Sequence, residues 1–262
     1  MVRIAAGVEY DGSAFAGWQS QPHAPSVQDA VEAALSRVAN HAVKVVCAGR
    51  TDAGVHAFGQ VVHFDTDATR SQRSWVLGAN STLPASVNIN WTRDVDEQFH
   101  ARFGAVARTY RYVILNRWVR SAVHASRATW VHETLDAQVM HRAAQLLRGE
   151  HDFSSFRALA CQAKSPVRTV ERIDVRRENE WVILEITANA FLHHMVRNIA
   201  GVLIAVGKGE RPEAWVQEVL DHKDRELGGV TAPPHGLYFI GPRYPERFDL
   251  PDKQLWLPEG ER

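Results

Sequence analysis

Val43-Lys44-Val45-Val46-Cys47-Ala48-Gly49-Arg50-Thr51-Asp52-Ala53-Gly54-Val55-His56 runs on into Gln60-Val61-Val62-His63-Phe64, and the way this stretch divides decides the rest of the chain. Residues 43–47 are mostly β-branched and read as a strand, and 60–64 read as a second one. The segment between them is too polar and glycine-rich to continue either, so it is the loop that joins two strands. One carboxylate, Asp52, and one guanidinium, Arg50, stand in that loop between Gly49 and Gly54. Glycine permits unusual dihedrals and the close approach of a ligand, and arginine can hold a carboxylate ionised or grip a phosphate. A surface turn with an aspartate cap has the same composition.

Working outward, residues 3–9 read as a strand and 11–19 as a loop of glycines and aromatics. Ser26, with Asp29 three residues on, can cap a helix carrying Val27, Ala30, Val31, Ala34, Leu35 and Val38 at helical spacing. Ser71 or Ser74 starts another helix that ends before Pro84, and Val87–Val95 alternates as a strand. The order is β-α-β-β-α-β, and after Gly104 it begins again. Residues 106–115 read as strand, 135–147 as helix, 167–177 with 181–188 as a hairpin, 191–206 as helix, 212–220 as a short helix, and 237–240 as the last strand. The predicted fold is therefore α+β: two tandem ferredoxin-like (βαββαβ) units whose antiparallel sheets merge into one open sheet with helices on one face. The expected boundaries are 1–104 for the unit with the Asp52 loop, 105–245 for a second unit that completes a cleft and binds RNA, and 246–262 for a tail.

Length and composition fit this architecture. The chain has 262 residues, 45% of them hydrophobic and 23% charged, with room for a sizeable core. Cys47 and Cys161 are its only cysteines, too few for a disulfide framework, and they fit a reducing compartment. No apolar run is long enough for a signal peptide or a membrane span, so a cytoplasmic protein is expected. Thirty basic residues balance thirty acidic ones, yet their distribution is uneven. Between Glu97 and Glu133 there is no acid, while Arg102, Arg108, Arg111, Arg117, Arg120 and Arg127 alternate with aromatics there; residues 153–170 repeat the pattern with Arg157, Lys164 and Arg168. Arginines for phosphate and rings for unstacked bases suit a track for an anionic polymer, and a solvated face has the same composition. His193-His194, placed on the helix 191–206, would point about 100 degrees apart and so could not share an ion, and no metal site is expected. Arg197, one turn past His193, shares its face.

The Asp52 loop closely resembles the signature of the tRNA pseudouridine synthase A family. So do Gly7-Val8-Glu9-Tyr10-Asp11-Gly12 with Gly17-Trp18-Gln19, Phe99-His100-Ala101-Arg102-Phe103, Tyr110-Arg111-Tyr112, Phe153-Ser154-Ser155-Phe156, Phe191-Leu192-His193-His194-Met195-Val196-Arg197-Asn198 and Gly236-Leu237-Tyr238. The resemblance implies conversion of uridine to pseudouridine at positions 38, 39 and 40 of the tRNA anticodon stem-loop, without cofactor or metal, by a homodimer. It implies that Asp52 is the essential aspartate, Arg50 its loop partner, Tyr110 the ring that stacks on the target base, Arg197 the basic residue closing the pocket, and Leu237 a further substrate contact. Arg102, Arg108 and Arg111 are the expected RNA-backbone contacts.

The reaction breaks the N1 glycosidic bond, turns the uracil, and joins C5 to the same ribose carbon, which calls for an ionised carboxylate beside the sugar. Attack on ribose, attack on uracil and removal of a ribose proton are all open to Asp52. A base must also leave its stack, which costs a few kcal/mol and is offset by stacking on a ring. An RNA-binding platform without chemistry accounts for the arginine runs but not for the loop. A carboxylate-dependent hydrolase needs a second acid or a base that the loop does not offer.

Overall fold

The computed structural model describes residues 1–159 and 161–251, and the expected tail beyond 251 lies outside them. The chain divides into two compact units, one of residues 1–106 together with the chain from Phe239, the other Ala107–Tyr238. Among the described residues there are ten strands and five α-helices, a mixed α and β fold.

The first unit contains β1 (Val2–Tyr10), α1 (Val27–Ala39), β2 (Val46–Cys47), β3 (His56–Thr66), α2 (Gln72–Asn80) and β4 (Val87–Val95). Its hydrogen-bonded order is β4-β1-β3-β10, with β2 beside β3, where β10 is Leu237–Arg243. Strand β1 is antiparallel to both β3 and β4. The α1 cap forms as its sequence predicts, with Ser26 Oγ accepting from the Asp29 N–H at 3.1 Å. Val27, Val31, Ala34 and Leu35 make its buried stripe. The strand expected over 43–47 shortens to Val46–Cys47 because α1 side chains take its backbone donors. The Val43 N–H donates to Ser36 Oγ at 2.9 Å and the Val45 N–H to the buried carboxylate of Glu32 at 3.1 Å.

The chain returns to this unit through β10 and stays there. Phe99, fully buried, packs against Tyr244 and Phe248 with ring centroids 5.1 Å away in each case, and the Tyr244 hydroxyl donates to the Ala101 carbonyl at 2.6 Å. Residues 239–245 thus lie with the first unit, whereas the sequence boundary assigned them to the second. The local cause is this aromatic cluster, whose members are about 145 positions apart in sequence.

His63 of β3 sits at the edge of the same cluster and accepts the Ala101 N–H on Nδ1 at 3.1 Å, which requires an unprotonated nitrogen. Burial, followed by the charges of His100 and Arg3, pushes its pKa down to about 4. The folded form therefore resists a proton that the unfolded chain accepts near 6.5. The stability this supplies is complete above that value and is lost as pH falls from about 6.5 towards 4, about 3 kcal/mol for the full shift and on the order of 2 kcal/mol after solvent screening of a partly accessible ring. Replacing His63 by Gln is expected to flatten the melting-temperature profile across that window. A profile as steep as that of the unaltered protein would assign the acid sensitivity to other groups.

The second unit contains β5 (Ala107–Asn116), β6 (Thr129–Val131), α3 (Ala137–Gln145), β7 (Gly149–Asp152), β8 (Val167–Glu178), β9 (Trp181–Ala188), α4 (Met195–Gly207) and α5 (Trp215–His222). Its order is β5-β9-β8-β7, with β6 parallel to β5. The chain succession β5-α3-β8-β9-α4, followed by β10, repeats the β-α-β-β-α-β order, although most of β10 lies with the first unit; β6, β7 and α5 are additions. Ile173, Val175, Leu184 and Ile186 form the buried layer of the sheet. Helix α4 begins at Met195, four residues later than expected. Phe191 turns its ring onto Tyr110 and His194 takes a left-handed φ of 62°, so residues 191–194 form a turn that feeds the helix.

Candidate active site

In the first unit the Asp52 loop is held by groups on three sides. The side-chain amide of fully buried Gln60 donates to the Gly49 carbonyl at 2.6 Å. Tyr10 hydroxyl and Thr51 Oγ1 are hydrogen bonded at 2.8 Å in the interior, and burial raises the Tyr10 phenol well above the usual tyrosine value, so it keeps its proton. From the opposite side the Trp18 N–H donates to the Thr51 carbonyl at 3.0 Å and the Gly54 N–H to the Phe15 carbonyl at 3.3 Å. Gly54 takes a left-handed φ of 76°. Gly17, at φ 105°, lies so close that a Cβ there would stand 2.7 Å from the Thr51 carbonyl oxygen, which explains why glycine precedes Trp18.

These bonds clamp the backbone on both sides of Asp52 and leave its side chain half-buried. Arg50 is exposed, and Thr51, between it and Asp52, turns inward, its carbonyl bonded to Trp18 and its hydroxyl to Tyr10. Cys47 is buried at the entry to the loop, and burial pushes its thiol up to about 11, which leaves no thiolate nucleophile at neutral pH. Arg102 lies over the Phe103 ring at 5.5 Å.

In the second unit Tyr110 is buried on β5, with the Phe191 ring edge-on at 5.0 Å. Arg197, on the first turn of α4, donates from Nε to the Ala232 carbonyl at 2.8 Å, and its own carbonyl accepts from the Ala232 N–H at 3.1 Å. The neighbouring Tyr112 donates to the Pro233 carbonyl at 2.8 Å, its phenol raised by burial despite the positive charge of Arg197. Arg197 is thereby fixed by the 232–233 segment that leads to Leu237, itself buried at the start of β10. His193 and His194 precede the helix, with ring centroids 4.1 Å apart, so the reasoning that put them on two faces of a helix does not apply. Nor does His193 share a helical face with Arg197.

One expectation about RNA contact changes. Arg111 is a buried partner of Glu185 across the β5–β9 ladder, its Nη2 2.6 Å and its Nε 2.9 Å from one carboxylate oxygen. The register places Glu185 beside Asp174 on the same face, where Arg172 pairs with Asp174 and Arg176 with Glu178. This polar face of the second unit is compensated by its own acids, and Arg111 is not available to phosphate. Its sequence signal was the absence of acids nearby in the chain, but β9 brings one across the ladder. Arg108 is exposed to solvent in part and donates to the Asn189 carbonyl at 2.9 Å.

Replacing Arg111 by Ala is accordingly expected to cost stability, on the order of 2 kcal/mol, because Glu185 keeps its desolvation and loses its counterion. The salt dependence of RNA binding should not change. A lower salt slope with an unaltered melting temperature would return Arg111 to the RNA-contacting set.

Residues with no obvious chemical role also hold the site. Asn198, fully buried, donates to the Phe156 carbonyl at 2.7 Å and accepts from Thr231 at 2.7 Å and Arg225 at 3.1 Å. It ties the 154–156 turn, α4 and the 225–231 segment together. Its sequence signal was its place at the end of the family-like stretch Phe191 to Asn198.

The first unit thus carries a clamped carboxylate loop, and the second a buried tyrosine against Phe191 and an arginine anchored to the backbone at Ala232. A family model described as tRNA pseudouridine synthase matches residues 6–104 and 143–245, and the chain belongs to that family of isomerases, which convert uridine to pseudouridine in tRNA. The chain is 61% identical over 249 residues to a tRNA pseudouridine synthase A of Methylococcus capsulatus, covering 95% of this chain and 92% of the relative. It is 58% identical to the enzyme of the same name from Nitrosococcus oceani (95% and 96% covered) and 54% identical to that of Pseudomonas aeruginosa (97% and 89%). No helix among the described residues is long and apolar enough to cross a membrane.

Proposed function

We infer that this chain isomerises uridine to pseudouridine at positions 38, 39 and 40 of the tRNA anticodon stem-loop, with Asp52 as the essential carboxylate. The observation that carries the assignment is the clamped loop, in which Gln60, Tyr10 and Trp18 fix the backbone around Asp52 and leave its carboxylate as the reactive group. The relatives' shared name, tRNA pseudouridine synthase A, supports the substrate. Tyr110 is the ring that receives the flipped uracil, and its hydroxyl is suited to relay the C5 proton once C5 has joined the ribose, accepting it as its own proton passes to solvent. Arg197, anchored by Ala232, supplies positive charge to the pocket, Leu237 an apolar contact, and Arg50, Arg102 and Arg108 contacts to the RNA backbone. The units are read as ferredoxin-like, and the working form as a cytoplasmic homodimer.

The test is incubation with an unmodified tRNA transcript, without added metal or nucleotide, followed by nucleoside analysis. Pseudouridine should appear, and transcripts with cytidine at positions 38 to 40 should yield none. Formation at other positions would sink the site assignment, and no formation at all would sink the function.

A further inference from the structure

The second unit draws Tyr110 and Arg197 from distant parts of the chain, and one buried hydroxyl stands between the elements that carry them. Tyr110 and Tyr112 are two positions apart on β5 and both buried, so they share one face of the strand. The Tyr112 hydroxyl has two neighbours, Thr129 Oγ1 of β6 at 2.5 Å and the Pro233 carbonyl at 2.8 Å. A carbonyl can only accept, so the single phenolic proton goes to Pro233 and the Thr129 hydroxyl donates to the phenolic oxygen. Burial raises the phenol well above the usual tyrosine value, so that proton is retained.

The bond lies one residue from the anchor of Arg197. Ala232 accepts from Arg197 Nε at 2.8 Å and donates its N–H to the Arg197 carbonyl at 3.1 Å. On one side of Ala232, Thr231 donates to the buried Asn198 side chain at 2.7 Å. On the other side Pro233 and Pro234 have no N–H to give, so the chain is tied there through carbonyls, and the fixed φ of Pro233, −55°, leaves little slack between its carbonyl and Ala232. A phenylalanine at 112 would fill the same volume. What the hydroxyl adds is a fixed spacing between the strand that carries Tyr110 and the segment that holds Arg197.

We propose that Tyr112 is a positioning residue for the isomerisation, acting through Pro233 and Ala232 to hold the Arg197 guanidinium in register with the Tyr110 ring. The roles of Tyr110 and Arg197 in this reading rest on the proposed function. Tyr112 itself touches no substrate. A guanidinium displaced by a fraction of its own width keeps its charge near the RNA but loses its alignment with the reacting base, so the chemical step suffers and binding does not.

The test compares Tyr112→Phe with Thr129→Val in the full-length protein, by single-turnover rates on unmodified tRNA with saturating enzyme, a binding titration and a thermal melt. Both substitutions are close to isosteric and each removes a hydroxyl from the same buried pair, so both should lower the melting temperature by a few degrees. Only Tyr112→Phe breaks the bond to Pro233. It should slow the chemical step about 10- to 100-fold while Kd for tRNA stays within about twofold, whereas Thr129→Val should keep the normal rate. Arg197→Lys retains a positive charge but has no Nε–H for the Ala232 carbonyl, so adding Tyr112→Phe to it should slow the reaction by less than about twofold more. A normal rate in Tyr112→Phe, an equal loss in Thr129→Val, or full multiplication of the two losses in the double variant would overturn the positioning role and leave the function intact. An unaltered protein that makes no pseudouridine would overturn both.

Discussion

Asp52→Asn is expected to bind tRNA and form no detectable pseudouridine. The substitution keeps the shape of the side chain and most of its hydrogen-bonding capacity but removes the negative charge, and an amide oxygen is a poor nucleophile and a poor base. The loop has no second carboxylate to take over. Affinity should stay within about 1 kcal/mol, because phosphate contacts dominate binding and removing an anion near RNA is not unfavourable. The fold should survive as well. The bonds that shape the loop run through Gln60, Tyr10, Thr51 and backbone groups, so a half-buried loop side chain is expected to carry no more than about 1 kcal/mol of stability. Nucleoside analysis, a binding titration and a thermal melt on one preparation check all three. Turnover at a substantial fraction of the normal rate would show that the charge of Asp52 is dispensable.

Tyr110→Phe is expected to bind nearly normally and turn over about 100-fold more slowly or worse, the usual range when a positioned acid or base is removed. The ring remains to stack on uracil, and the hydroxyl suited to the C5 proton is gone. Phenylalanine is the informative substitution because Tyr110 is buried against Phe191. Alanine would leave a cavity costing about 3 to 5 kcal/mol, and any loss of activity would then mix chemistry with unfolding. Single-turnover rates with saturating enzyme separate chemistry from binding. A normal rate in Tyr110→Phe would confine Tyr110 to stacking.

Much of this was legible in the sequence because it depends on neighbours in the chain. The Ser26 cap, the stripe of α1, the alternation of Val87–Val95 and the turn chemistry around Asp52 are all local, and each forms where its pattern puts it. What was not legible depends on groups that meet from afar. Val43 and Val45 have strand propensity, but Ser36 and Glu32 of α1 capture their N–H groups. Arg111 stands in a run without acids until β9 sets Glu185 opposite it. Phe191 to His194 continue a helical pattern, but the aromatic contact with Tyr110 takes precedence over propensity. The strand β7 (sequence GEHD) has no apolar alternation to find, since its pairing with β8 is almost entirely a matter of backbone bonds.

The return of the chain to its first unit through Phe239–Arg243, Tyr244 and Phe248 has a consequence for biosynthesis. A polypeptide leaving the ribosome presents residues 1–106 well before Phe239–Arg243, so the unit they belong to lacks one strand and part of its aromatic cluster until the intervening second unit has been made. The unit bearing Asp52 is therefore completed only after the second one. Products of termination before Phe239 would carry the Asp52 loop on an unfinished sheet with Phe99 uncovered, and exposed apolar surface of that kind invites aggregation and proteolysis.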